Sequence, residues 1–253
     1  MEVDLEIDDY IDALRREGHT LLVAASDAGL NARVPSCPKW DVRELVRHIG
    51  GVHHWAAKQV KECRTDEISG KLVDIVGGWP SDDELLAWAA QQHTTLVSIF
   101  EGADRSLPYW TWLPGTTPFT MWTRRQAHET SIHRVDAELA AGSVSPFAPD
   151  FATDGVDELL LAMVGNRRKK LSVNAPQTLH LQATDISRTW TVVMSPKGFE
   201  MYQDQYADGD CRVVGSAAAI YRTVWHRGPQ DVAVEGDASV LGAWWENVKP
   251  AWT

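Results

Sequence analysis

In the first 142 residues, apolar side chains recur every three or four positions, the spacing that places them on one face of a helix. Residues 64–80 carry no such pattern, which predicts a long connection. Four helices joined in part by a long crossover predict a four-helix bundle. The first expected helix ends at Gly29, and the second begins at the capping box Asp41–Glu44. The third runs from the similar box Ser81–Glu84 to about Phe100, and the fourth from about Phe119 to Ala141.

Composition changes at residues 142–150, where Gly, Ser and Pro predict a linker. A helical pattern follows over residues 154–170. Apolar and polar residues then alternate, as in strands with one buried face, at 178–183, 189–194, 198–202, 211–214 and 231–235, and helical patterns return at 216–226 and 238–247. The sequence therefore predicts a two-domain α+β protein, with a four-helix bundle over residues 1–142 and a small α+β domain with an antiparallel sheet over 153–253.

Charge and composition narrow the classes of partner. The chain has 24 Lys and Arg residues against 35 Asp and Glu, a formal net charge of −11. This acidic balance argues against general binding of nucleic acid and against an anionic membrane surface as the partner. The sequence has no run of 18 apolar residues, no signal-peptide pattern and too few cysteines for a disulfide framework. We expect a cytoplasmic monomer or homodimer that acts on small molecules.

The residues best suited to chemistry lie on the fourth predicted helix. Glu129 and His133 are four positions apart, so they share one helix face, and a carboxylate and an imidazole at this spacing can share a divalent metal. Asp136 and Arg125 lie on roughly the same side. The alternative is a simple Glu129–Arg125 ion pair, with His133 solvated or hydrogen-bonded. His128 and Glu129 match the start of the zincin motif His-Glu-x-x-His, but its second histidine would be at position 132, which is isoleucine. A zincin motif is therefore excluded.

A third candidate ligand, His48, lies beside the apolar stripe of the second predicted helix. A histidine there points near the bundle interior, where it is either a metal ligand or a satisfied core residue. Two histidines and one carboxylate from two facing helices would leave the open coordination position that catalytic zinc sites keep.

Three segments carry a resemblance to a known family. Residues 40–51, WDVRELVRHIGG, resemble the helix-two signature of the DinB-like, mycothiol-dependent maleylpyruvate isomerase family. Residues 125–138, RQAHETSIHRVDAE, are similar to its second signature, and residues 234–241, VEGDASVL, to the close of its second domain. The resemblance implies a DinB-like metal-binding bundle followed by a sterol-carrier-like domain. It also implies that a divalent metal, usually zinc, is bound by His48, Glu129 and His133.

The resemblance implies further roles in catalysis. Asp136 matches a position near the family's active centre, and an arginine of the second domain, Arg222 or Arg227, assists the reaction. Arg125, Arg134 or that arginine could hold a substrate carboxylate. Mycothiol would serve as the thiol cosubstrate, and its thiolate would attack an electrophilic carbon of a small-molecule acceptor.

Three function classes remain open. The first is a zinc-dependent thiol S-transferase or isomerase, the second a metal-dependent hydrolase of thiol conjugates or amides, and the third a non-catalytic binding or carrier protein that keeps the fold. Twelve tryptophans are far above ordinary usage, and tryptophan lines pockets as well as cores. Within the first class, we expect the loop that carries Tyr109, Trp110 and Trp112 to line the acceptor pocket.

Overall fold

The structure, a computed structural model, describes residues 5–165, 168–205, 209–228 and 231–249. It divides into two compact units, Glu6–Ser145 and a second that contains Pro146–Thr253. The predicted α+β fold class is confirmed: the first part is helical, and the second contains a sheet. Within the described residues, no helix combines the length and the apolar character needed to span a membrane.

Four long helices of the first unit form the bundle. Helix α1 packs mainly against α5, and α2 mainly against α4. Leu21, Leu45 and Leu85 are among the buried side chains that form the core between them. The helices of this unit are α1 (Ile7–Ala28), α2 (Val42–Lys61), α3 (Leu72–Val76), α4 (Asp82–Gly102) and α5 (Pro118–Ala141). The short α3 lies in the predicted connection, where five residues are too few to show a helical period.

The two predicted capping boxes differ in outcome. At α2, the Asp41 carboxylate accepts from the backbone N–H of Glu44, and Glu44 accepts from the backbone N–H of Asp41, both at 3.1 Å. At α4, the Ser81 hydroxyl instead donates to the Glu84 side chain at 2.8 Å and caps no backbone N–H, so this box was predicted wrongly. The first box fixes the start of the helix that carries His48.

The second unit begins with helix α6 (Pro149–Asp157), which continues as a π-helix over Glu158–Val164. The sequence predicts one regular helix across residues 154–170, and the wider π turn corrects that prediction. Such turns are rare, and periodicity does not reveal them because the apolar pattern continues through them. A 3₁₀ turn follows at Arg168–Lys170.

The sheet of the second unit has the strand order β3-β2-β1-β4-β5. Its strands are β1 (Gln177–Ala183), β2 (Thr189–Ser195), β3 (Gly198–Gln203), β4 (Cys211–Gly215) and β5 (Val232–Gly236). Strand β4 pairs with β1 in parallel, while the other three pairs are antiparallel. The sheet is therefore mixed, not wholly antiparallel as the alternation suggested. Helices α7 (Ala217–Val224) and α8 (Ser239–Asn247) pack against β1 and β4.

Candidate metal centre

The three side chains expected to bind metal meet between α2 and α5. His48 Nε2 lies 3.1 Å from Glu129 Oε1, and His133 Nε2 lies 3.3 Å from the same oxygen. One donor atom from each residue lies within 4.8 Å of the others. Among the described residues, this is the one cluster of three or more His, Cys, Asp or Glu side chains close enough to hold a metal ion.

Helix α5 is the central helix of the site. Nearly every residue from Phe119 to Glu138 is buried, so most polar side chains of α5 are shielded from water. Glu129 and His133 are 4% and 0% exposed. Helix α2 supplies His48 from the other side, and the His48 side chain is 10% exposed. The sequence thus places all three donors in a largely buried part of the bundle.

The electrostatic surroundings favour a positive charge at the cluster. Burial lowers the pKa of the His48 imidazole, which favours its neutral form. Burial alone would raise the pKa of the Glu129 carboxyl, but hydrogen bonds with His133 and His48 and the charge of Arg125 hold it well below its ordinary value. Burial opposes protonation of His133, yet its bonds to Asp136 and Glu129 raise its pKa. Two carboxylates that stabilise a proton on His133 would also stabilise a divalent cation.

Two further α5 side chains hold the cluster in place. The Arg125 guanidinium donates to Glu129 Oε2 at 2.7 Å, so this oxygen is held while Oε1 faces the histidines. Asp136 Oδ2 lies 2.8 Å from His133 Nδ1, on the side of the ring opposite to Nε2. The three donor atoms are Nε2 of His48, Nε2 of His133 and Oε1 of Glu129. Imidazole nitrogens and carboxylate oxygens are ligands that zinc takes in catalytic sites, so these residues fit a zinc ion.

Trp110 and Trp112 belong to an aromatic cluster with Trp55 of α2 and Trp122 of α5. Ring centroids within this tryptophan cluster lie 5.1–6.4 Å apart. Trp55 follows His48 by seven residues, and Trp122 precedes Glu129 by seven, so each shares a helix face with that ligand. Seven residues correspond to about 10 Å along a helix. The tryptophan cluster therefore lies about two turns along the bundle from the ligands.

Family models match both parts of the chain. The model described as the mycothiol maleylpyruvate isomerase N-terminal domain matches residues 11–138, and the MDMPI C-terminal domain matches residues 150–243. The chain belongs to the mycothiol-dependent maleylpyruvate isomerase family. The resemblance inferred from the signature segments is thereby confirmed. No curated protein sequence matches the chain.

Solved structures support the fold of a mycothiol-dependent maleylpyruvate isomerase family member. The crystal structure of a mycothiol-dependent maleylpyruvate isomerase aligns with a TM-score of 0.63 and 16% identity, covering 92% of this chain and 94% of the other. A histidine-to-alanine mutant of that isomerase aligns with a TM-score of 0.65 and the same identity and coverage. Membership of this family assigns the chain to an enzyme class, the mycothiol-related isomerases.

The two arginines of the second unit that the family resemblance singled out have different surroundings. Arg222, on α7, donates to Asp231 at 2.7 Å, and its side chain is half-buried. Arg227 is 5% exposed and donates to the Trp225 carbonyl at 2.6 Å. Each arginine therefore has a hydrogen-bond partner within its own unit.

Sequence reasoning missed the residues that the α1–α2 loop brings to the centre. Ser36 donates to Asp136 Oδ1, and the Trp40 ring lies 5.8 Å from that of His133 and 5.0 Å from that of His48. Trp40 stands one residue before the capping box and was read as part of a signature segment. Ser36 gave no signal, because it lies in a loop without periodicity, 100 positions before its partner.

Proposed function

We propose that the chain is a zinc-dependent enzyme of thiol chemistry, which uses a low-molecular-weight thiol such as mycothiol to isomerise or conjugate an electrophilic small molecule. The observation that carries the proposal is the convergence of His48, Glu129 and His133 on one point, in a chain of this family. Three protein ligands leave the fourth position of a zinc ion open, as catalytic sites require. Bound there, zinc would lower the pKa of a coordinated thiol and so supply a thiolate at neutral pH.

The side chains around the ion have separate tasks. His48 and His133 present Nε2, and Glu129 presents Oε1, while Arg125 keeps Glu129 Oε2 turned away. Asp136 accepts the Nδ1 proton of His133, which fixes the tautomer whose Nε2 lone pair faces the ion. Because Arg125 is 3% exposed and occupied by Glu129, holding this ligand suits it better than binding a substrate carboxylate.

The reaction on the acceptor needs no oxidant. The thiolate sulfur adds to one carbon of a cis double bond, and the π electrons move onto the conjugated carbonyl. The remaining single bond rotates, the electrons return, and the carbon–sulfur bond breaks to release the thiolate and the trans isomer. If the adduct takes up a proton before elimination, the product is a thioether and the enzyme is a transferase.

Recognition of the acceptor is assigned to groups outside the ligand set. Trp112 is the exposed member of the tryptophan cluster, and its ring stacks on that of Trp110 with centroids 5.2 Å apart. They would contact an apolar or planar part of the acceptor. Arg222 or Arg227 of the second unit would hold an acceptor carboxylate in a bidentate pair.

The first test is metal content, measured by elemental analysis on protein purified without a histidine tag. We expect one equivalent of zinc in the wild type and none in Glu129→Ala or His48→Ala, with the helical fold kept because the bundle core lies elsewhere. His54→Ala is the matched control, since His54 is on the same helix but bonds to Gln92 at 2.9 Å. Wild-type protein that takes up no zinc after addition and dialysis would contradict the proposal.

Thiol dependence is the second test. Wild-type enzyme with mycothiol and cis-unsaturated keto acids should yield trans products or stable thioethers by NMR, and omission of the thiol should abolish both. Turnover that continues without thiol would point to a hydrolase. Bound zinc without any turnover would point to a carrier protein that retains the fold.

A further inference from the structure

One loop contacts the candidate metal centre on several sides. The Trp40 ring stacks on His133, with centroids 5.8 Å apart and planes at 26°, and it also lies 5.0 Å from the His48 ring. Four residues earlier, the Ser36 hydroxyl donates to Asp136 Oδ1, and Cys37 Sγ lies 3.8 Å from Asp136 Oδ2. The loop between α1 and α2 therefore touches both histidine ligands and the carboxylate behind one of them.

The loop has its own internal framework. The backbone N–H of Val34 donates to the Trp40 carbonyl at 3.2 Å, and the N–H of Trp40 donates to the Cys37 carbonyl at 2.8 Å. Val34 is 1% exposed, which anchors the turn in the bundle core. The loop then runs directly into Asp41, the N-cap of α2. Its position is thus tied to the helix that carries His48.

The loop supplies Asp136 with a hydrogen bond in addition to the one from His133. The carboxylate is 0% exposed, and a buried carboxylate needs donors in place of water. Oδ2 takes the Nδ1 proton of His133, and Oδ1 takes the Ser36 hydroxyl proton. If the Ser36 hydroxyl is removed, Oδ1 loses this donor, and the carboxylate loses a contact that fixes its rotation. The orientation of His133 is then set less firmly.

We propose that Ser36 and Trp40 are positioning residues of the metal centre: Ser36 orients His133 through Asp136, and the Trp40 ring holds the planes of both histidines. This inference rests on the proposed function, because it needs zinc at His48, Glu129 and His133. Groups that support metal ligands from behind typically change metal affinity about 10–100-fold when removed. The effect should appear in binding, independently of turnover.

The test compares Ser36→Ala and Ser36→Thr in the full chain. Zinc affinity is measured by competition with a chromogenic chelator, and the absorption spectrum of the cobalt-loaded protein reports ligand geometry. Ser36→Ala should bind zinc about 10–100-fold more weakly and shift the cobalt bands, whereas Ser36→Thr, which keeps the hydroxyl, should retain most of the affinity. Ser131→Ala is the control, because this buried serine donates at 2.7 Å to the Ala127 carbonyl of its own helix.

Trp40 is tested by Trp40→Phe and Trp40→Leu. Phenylalanine keeps a flat ring against the histidines and should stay near wild type in both measurements, while leucine should weaken zinc binding and alter the cobalt spectrum. The melting temperature of each metal-free protein separates positioning from folding. Weaker zinc binding that merely follows a lower metal-free melting temperature would overturn the inference.

The outcomes separate the two proposals. Wild-type protein that binds neither zinc nor cobalt removes the proposed function and this inference together. Wild-type protein that binds zinc, with unchanged affinity and cobalt spectra in Ser36→Ala and Trp40→Leu, removes this inference alone.

Discussion

Helix α5 carries two Arg–Glu pairs at the same four-residue spacing, and their surroundings give them different roles. Arg125 and Glu129 lie at the candidate metal centre. Arg134 is 1% exposed and pairs with Glu138, with Glu17 of α1 at 2.7 Å, and with the Ser145 carbonyl at 2.9 Å. From the sequence, both arginines are candidates for binding a substrate carboxylate. The structure places the Arg134 guanidinium in a buried network that joins α1 to α5.

Arg134 should therefore matter for stability. In Arg134→Met, the nearly buried carboxylates of Glu17 and Glu138 lose their shared cation, and we expect the free energy of unfolding to fall by about 3–5 kcal/mol. Arg16→Met is the matched control, because Arg16 contacts the same Glu17 at 3.1 Å with a side chain that is 59% exposed, and it should cost about 0–1 kcal/mol. Urea denaturation followed by circular dichroism measures both. Equal, small losses would show that Glu17 and Glu138 do not depend on the Arg134 charge.

Individual site residues differed in how far the sequence could predict them. Glu129 and His133 share a helix face by spacing, so their proximity followed from one element. His48 needed the packing of α2 against α5, for which the family signature was the guide. Ser36 could not be found, because its contact with Asp136 arises only when the α1–α2 loop closes over the bundle.

At the scale of elements, hydrophobic periodicity predicted the long helices and every strand to within a few residues. Periodicity failed where a local structural feature does not change the spacing of apolar residues. The π-helix Glu158–Val164 keeps an apolar pattern, and the parallel pairing of β4 with β1 depends on which edge the chain returns to after β3. Ser81 matched a capping pattern, yet its hydroxyl bonds to a side chain instead of the helix backbone.

Close contact between α1 and α4 rests on a glycine. A Cβ on Gly18 would lie 2.2 Å from Nε2 of His93, and that nitrogen bonds to the Leu14 carbonyl at 3.0 Å. In Gly18→Ala the ring must move and lose this bond, so we expect a loss of about 1–3 kcal/mol in thermal or urea unfolding. Gly102→Ala, whose Cβ meets no atom within 4 Å, should be neutral or stabilising by up to about 1 kcal/mol. Equal stability of Gly18→Ala and Gly102→Ala would contradict this prediction, because it would mean that the His93 ring can move aside without a loss of stability.

At the scale of the whole molecule, metal binding and recognition of an acceptor carboxylate are proposed for different parts of the chain. His48, Glu129 and His133 belong to the unit Glu6–Ser145, as do the residues that hold them. Arg222 and Arg227 belong to the second unit. We expect the division proposed from the sequence to have a functional counterpart: the first unit should bind zinc by itself, and the second should add to turnover.

A fragment of residues 1–145 tests this division. It should fold as a helical protein and bind zinc as tightly as the full chain, because the three ligands and the residues Ser36, Trp40, Arg125 and Asp136 lie within it. It should not turn over an acidic acceptor with mycothiol, since it lacks both candidate arginines. In the full chain, the variants Arg222→Met and Arg227→Met should each keep the zinc. The variant that removes the carboxylate-binding arginine should raise KM for acidic acceptors more than for neutral ones. A folded fragment that binds zinc much more weakly than the full chain would mean that zinc binding depends on the second unit. Full turnover by the fragment would exclude both arginines from the reaction.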